Sequence, residues 1–434
     1  MPHEQAMNLA RVAADNWEDE YVREAFCTVA LKLVNEQPFK IPYVAAVVLF
    51  AHFEKAEAAK EVVDRAGAQL QEQLEKGQWR NVKLSLRFLA CVGRLFEHDG
   101  IFTILDELFG RAVDLQTASA EDTVGIELVK IILLTIPYLL ASTDSDAALQ
   151  SRAAEILEKT DVVASTTHEL ENLVDPYPAV NEDTERPMAC ASFISLLQRQ
   201  LQDEASRGWP LQCIPRIFDP ALRPSIRHAD TNGDANGEND AGPTKIAFPE
   251  ITVPATVNQG SKKFFPDLYF SVFADQEIES VPPTSNVASC LVRDAVVDTM
   301  NILDFNREIT SKYLNIMDCF WAENTFVPKA TPFDKLRDLE QGRPSWKQED
   351  VAIDAVFSQI FTLPNPEHKL VYYHSLITEI CKISPQAIAP SLGRAIRFLY
   401  RSLEVMDLEL AYRYMDWFAH HLSNFEFRWK WTEW

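Results

Sequence analysis

Nine histidines, seven cysteines and 64 acidic side chains are the groups from which this 434-residue chain could build chemistry. Their spacing supports little of it. His168-Glu169 opens like a metalloprotease helix, but no second histidine follows four residues on, as a zinc site on one helix face requires. His420-His421 is the only adjacent histidine pair, and neighbours on a helix point in different directions. They cannot chelate one ion from one face, so one is expected to be packed and the other solvated. Cys27, Cys91, Cys190, Cys213, Cys290, Cys319 and Cys381 form no CxxC pair and are odd in number. They read as buried thiols of a reducing compartment rather than a disulfide framework. The carboxylate runs Glu18-Asp19-Glu20 and Asp203-Glu204 read as solvated helix ends and turns. No nucleophile elbow, Walker, GxGxxG or EF-hand pattern occurs. No catalytic, cofactor-binding or metal-binding residue is therefore assigned, and the chain is not read as an enzyme.

One constellation remains. Phe425-Glu426-Phe427-Arg428-Trp429-Lys430-Trp431 alternates aromatic with charged residues, as a stacking platform for nucleic acid would. A platform needs more Lys and Arg nearby, so the preferred reading is a packing seam from which Arg428 and Lys430 snorkel outward. Lys262-Lys263, ahead of Phe264-Phe265, reads as a solvated edge rather than a phosphate contact.

The elements that must position these residues are helical. From Leu9 to about Gln200 apolar residues recur at helical spacing. Leu84, Phe88, Leu89, Val92 and Leu95 line a helix beginning near Trp79, and Ile104, Leu105, Leu108 and Phe109 line the next, with Gly100 as the break. Leu128, Val129, Ile132, Leu133 and Ile136 make a stripe wide enough for burial on more than one side, with Pro137 expected to end or kink that helix. Pro38 and Pro42 separate an earlier pair, of which Tyr43 to Ala68 is the later member. Roughly seven or eight helices in close succession call for antiparallel hairpins stacked side by side. Between about Trp209 and Pro283 the chain is rich in proline yet carries many aromatics, which suggests an extended linker packed on a helical surface. Within it, Ala229 to Thr244 carries no large apolar residue and reads as disordered. From Gln348 four further stripes follow, around Ile353, Leu376, Leu392 and Tyr414. That spacing is a hairpin repeat of roughly 35–40 residues, the period of HEAT-type α-solenoids. The expected organisation is all-α: residues 1–208 as a first helical-hairpin domain, 209–285 as the linker, and 286–434 as a second hairpin domain.

Composition agrees. Only 13 residues are Gly, about half the usual share of roughly 7%, which disfavours nucleotide-binding α/β and all-β folds. With 41 Lys and Arg against the 64 acidic residues, the net charge of −23 argues against gripping nucleic-acid phosphates directly. The first twenty residues have neither a basic region nor an apolar core, so no secretory signal is read. The apolar run Ile126–Leu140 falls short of the ~20 residues of a membrane span, and an intracellular, soluble protein is expected. The chain stops on Trp-Lys-Trp-Thr-Glu-Trp, aromatics with nothing after them to pack against, so a piece truncated within a longer solenoid is expected.

Phe357–Pro364, Ile380-Cys381-Lys382 and above all Asp416–Trp429 (DWFAHHLSNFEFRW) closely resemble the large subunit of the nuclear cap-binding complex. Trp79–Leu95 and Glu127–Leu139 look like the first helical domain of that subunit in a fungal-type version. The resemblance implies a scaffold of helical-hairpin domains, each similar to the middle domain of initiation factor 4G. It further implies a small partner of RNA-recognition fold that stacks on the 7-methylguanosine cap, so that capped RNA is met indirectly. Splicing, RNA export and nonsense-mediated decay factors would dock on the scaffold, in a nuclear protein shuttling to the cytoplasm. Two departures qualify this: no third domain follows Trp434, and the first twenty residues carry only Arg11 as a strong base. Partner contact is expected near the C-terminal seam, at Arg428, Trp429 and Trp431. The alternative is a cytoplasmic translation-initiation scaffold of the 4G type that binds an RNA helicase.

Overall fold

A computed structural model describes residues 2–428, apart from 144–145, 179–185, 189–190, 219–244, 262, 340–341 and 343–344. The loop Ala229–Thr244, Cys190, Lys262, Trp429, Lys430 and Trp431 lie outside the described residues.

Chain order is α1 (Pro2–Asp15), α2 (Glu20–Glu36), α3 (Ile41–Glu54), α4 (Ala56–Lys76), α5 (Trp79–Cys91), α6 (Phe102–Ala118), α7 (Thr123–Ser142), α8 (Ala147–Ala164) and α9 (Phe193–Ser206). After the linker come α10 (Ala288–Ile302), α11 (Arg307–Asn315), α12 (Gln348–Ile360), α13 (Leu370–Ile383), α14 (Pro385–Ser402) and α15 (Leu408–Asn424). The fold is all-α, a stack of antiparallel hairpins similar to HEAT repeats. Among the described residues the only sheet pairs two dipeptides, β1 (Ala191–Ser192) with β2 (Leu268–Tyr269), antiparallel.

Short polar residues start many of these helices. Asp19, Asp122, Asp146, Asn306 and Asp407 each accept a hydrogen bond from a first-turn amide, at 2.8–3.1 Å for the closest contact of each. Each thereby satisfies a backbone N–H the helix cannot pair internally. Gly77 ends α4 in the left-handed region (φ +64°), where its N–H reaches back to Gln73 and Leu74.

Cys319 is exposed, unlike the other described cysteines, which are buried as expected; three further sequence expectations need correction. Tyr43–Ala68 is not one helix: Lys55 is extended (φ −152°, ψ 104°) and divides α3 from α4. Pro137 does not end its helix, because α7 continues to Ser142 with its residues around Pro137 fully packed by neighbours. Dense tertiary packing there outweighs the hydrogen bond that proline removes. α7 is consequently 20 residues long and apolar enough to cross a membrane, but 83% of its apolar window is buried inside the protein. The third correction concerns Glu204, expected in solvent. It is buried at the end of α9, where it accepts from the Leu211 amide at 3.0 Å and pairs with Arg207 at 2.7 Å.

One continuous hydrophobic core runs from Ala6 in α1 to Trp417 in α15. Parts of the segment between α9 and α10 join it, Ile246, Val253, Tyr269 and Phe273 among them. The backbones of Leu95–Glu97 and Ile246 pair, Thr252 and Val253 donate to Gln71 and Glu107, and Lys263 O accepts from Thr123.

Candidate partner-binding surface

The C-terminal hairpins are built around α15, whose residues divide into two stripes. Leu410, Tyr414, Trp417 and His421 recur every three or four positions and are buried, as an amphipathic helix demands. Trp417 is 0% exposed and meets Phe357 of α12 edge-on, with ring centroids 4.8 Å apart. His421 stacks on Trp417 at 5.5 Å and meets Phe425 at 4.8 Å. Arg413, also buried, donates to the carbonyls of Ile360, Thr362 and Pro364 and so ties α15 to the end of α12. Ile360 O is one of the C=O groups the helix end leaves unpaired, and the other two belong to the turn that follows α12.

The opposite stripe is apolar too, but open. Leu408, Tyr412 and Met415 are 70%, 54% and 50% exposed, and Ala419 extends the row. Spacings of four, three and four residues place them on one face. Tyr400 of α14 and Phe427 beyond α15 add exposed rings. Single exposed apolar residues are ordinary; a row on one helix is what a partner would cover.

After Asn424 the chain turns sharply. Glu426 and Phe427 both have φ +55°, and Phe427 N–H donates to Leu422 O at 2.8 Å. This turn delivers Arg428 to the surface, 83% exposed and paired with Glu426 at 2.7 Å. The expected outward position of Arg428 is therefore what the structure has, while Trp429 and Trp431 lie outside the described residues.

The histidines divide as their spacing requires. His421 is buried and His420 half-buried, its ring 5.5 Å from that of His374 on α13. Burial, with His420 adding to it, lowers both His374 and His421 to about 4. Both therefore sit neutral in the seam at neutral pH. His168 is a core residue whose Nδ1 accepts from the Leu170 amide at 3.1 Å. Lys263 pairs with Asp267 at 2.9 Å. Among the described residues no group of three or more His, Cys, Asp or Glu side chains could hold a metal ion.

Sequence reasoning missed a second constellation. Arg80, Lys83 and Arg87 lie on one face of α5; Asp294, Asp298 and Asn301 lie on one face of α10. Lys83 Nζ stands 2.6 Å from Asp294 and 2.8 Å from Asp298, Arg87 stands 2.6 Å from Asp294, and Arg80 reaches Asp298 at 3.3 Å. Arg80 also pairs with Glu367, which in turn accepts from Asn301 at 2.8 Å. Burial alone would raise the Asp294 carboxyl, but Lys83, Arg87 and Lys130 overcome it and hold the group well below the usual carboxylate range. Burial raises Asp298, and the neighbouring Asp294 adds to that rise, against the pull of Lys83 and Arg80. The i, i+3, i+7 spacing of the three cations was visible as a helix face. Their partners, 211 residues on for Lys83 and Asp294, were not.

Residues 282–434 match the family described as MIF4G like. Across 99% of its length the chain is 28% identical to the nuclear cap-binding protein subunit 1 of Schizosaccharomyces pombe, of which it covers 51%. It is 27% identical, over 96% of its length and 50% of the relative, to the nuclear cap-binding protein complex subunit 1 of Saccharomyces cerevisiae. An 82-residue stretch is 42% identical to nuclear cap-binding protein subunit 1 of Xenopus tropicalis, covering 19% of this chain and 10% of that one. The resemblance read from the Asp416–Trp429 string thus extends along almost the whole chain. The chain spans about half the length of the curated relatives it matches most fully.

Proposed function

We propose that this chain, similar along its length to large subunits of nuclear cap-binding complexes, is a scaffold that holds a small cap-binding subunit of RNA-recognition fold. The observation that carries this reading is the 28% identity to such a subunit across 99% of the chain. The physical chemistry supports the same division of labour. A net charge of −23 suits a protein that leaves phosphate and cap contacts to its partner. In this reading the chain works in the nucleus and shuttles to the cytoplasm. Capped RNA reaches it through the small subunit, and splicing, export and nonsense-mediated decay factors dock on its helical faces.

The open stripe of α15 and the turn leading to Arg428, Trp429 and Trp431 are the proposed partner contacts. Residues 1–208 and 286–434 are the proposed hairpin domains, with 209–285 between them. Co-purification of the small subunit with this chain, and with a version extended past Trp434, tests the proposal. The extended version is expected to retain the small subunit and to raise its affinity for a cap analogue. Equal cap affinity with and without the large subunit would sink it. The MIF4G-like match over 282–434 is also compatible with a translation-initiation scaffold. Recovery of an RNA helicase, with no cap-binding subunit, would favour that second reading.

A further inference from the structure

Residues 246–260 cross the outer faces of α4 and α6 as an extended peptide lies in a binding groove. Gly67, Gln71 and Glu75 recur every four residues on α4, and each meets this strap. Gly67 sits in the middle of a helix, where glycine costs up to about 1 kcal/mol relative to alanine. The reason is local: a Cβ there would collide with the ring of Pro249. Thr252 N–H donates to Gln71 Oε1 at 2.9 Å, and Val253 N–H donates to Glu107 Oε2 at 3.0 Å. Side chains of two helices thus read consecutive backbone amides of the strap. Phe248 meets Phe96 edge-on at 4.9 Å, and Ile246 pairs with the backbones of Leu95 and Glu97 at 2.8 and 3.1 Å. Within 246–260 Ile246 and Val253 are buried and Phe248, Ile251 and Val257 half-buried against the core, while Glu250, Thr252, Ala255 and Thr256 are exposed.

We propose that the groove between α4 and α6 is a recognition site for an extended, proline-bearing apolar peptide, which residues 246–253 of this chain occupy in cis. The groove supplies a slot for proline at Gly67, acceptors for two successive amides at Gln71 and Glu107, and an aromatic face at Phe96. None of these requires the peptide to be covalently attached. A partner segment with the pattern of Phe248-Pro249-Glu250-Ile251-Thr252-Val253 satisfies the same groups and exchanges with the strap. The site is separate from the α15 surface, so its fate is independent of the proposed function.

The test uses the full chain and a fluorescein-labelled peptide of residues 245–261. The native chain binds the peptide weakly, because the cis strap competes at an effective concentration on the order of millimolar. Ile246→Asp with Val253→Asp weakens the strap and is expected to tighten peptide binding at least about tenfold, since the open groove becomes the populated state. Adding Gly67→Val to that background is expected to abolish the gain. Equal affinity for the native and doubly substituted chains overturns the proposal, as does a gain that survives Gly67→Val. Failure of a doubly substituted chain with native circular dichroism to bind also overturns it. Should the double variant not fold, Gly67→Val alone decides by hydrogen exchange. The amides of Thr252 and Val253 should then exchange at least about tenfold faster with those of α7 unchanged, as expected for local release. Unchanged exchange at those two amides overturns the proposal.

Discussion

Where α5 meets α10 the protein buries charge; where α12 meets α15 it buries aromatic rings. Both seams join elements far apart in sequence or in chain order, but they specify their geometry differently. Aromatic packing is driven by area removed from water and tolerates small sliding. Ion pairs in a buried seam gain little net energy over apolar side chains, because each ion must first leave water. Three cations facing three carboxylates have one arrangement in which every charge is answered. Such a pattern favours one register of α5 against α10 over its neighbours. The comparison teaches that the aromatic seam supplies cohesion and the charged seam supplies register.

Asp294→Ala should have the largest effect, because it strands Lys83 and Arg87 in the interior. A loss of about 3–5 kcal/mol is expected in urea unfolding, and a loss under about 1 kcal/mol would break the distinction drawn here. Trp417→Ala should cost a comparable amount, about 3–5 kcal/mol by the same measurement. The two differ in what rescues them. Replacing Lys83 and Arg87 by Met together with Asp294 and Asp298 by Leu should return stability to within about 2 kcal/mol of native. If the apolar quartet instead unfolds the chain, the charged seam contributes cohesion after all.

Acid should act on the aromatic seam first. His374 and His421 have folded values of about 4, below the ordinary 6.5. Their contribution is complete above pH ~6.5 and is lost as the pH falls towards 4, because the unfolded chain takes up those protons first. A decline of about 2 kcal/mol per histidine is expected over that window, and His421→Asn should flatten part of it. Asp294, depressed instead by its cations, loses its contribution only below the ordinary carboxylate range. The smallest effect is expected for Arg80→Ala, at the one-third-exposed rim of the charged seam, because Lys83 still answers Asp298. About 0.5–1 kcal/mol is in keeping with a solvent-screened pair.

The helix stripes around Leu84, Ile132, Ile353 and Tyr414 were legible because helical burial follows a 3.6-residue period. So was the division of His420 and His421, which follows from the angle between helix neighbours. The break at Lys55 was not, since no Gly, Pro or cap residue announces it. Nor was the passage of α7 through Pro137, where neighbouring helices decide the outcome. Of the partner surface, the Asp416–Trp429 string was conspicuous, but periodicity could not show that Leu408, Tyr412 and Met415 would be left open. An apolar stripe looks the same in sequence whether or not another element covers it.

What this sequence determined by itself is local in origin. Low glycine and helical periodicity point to stacked helical hairpins, because helical burial repeats within a turn or two of chain. The pairing of α5 with α10, the seating of Pro249 against Gly67 and the uncovered face of α15 were decided by the tertiary structure. Each depends on which surfaces meet across hundreds of residues, and no short-range pattern encodes that choice.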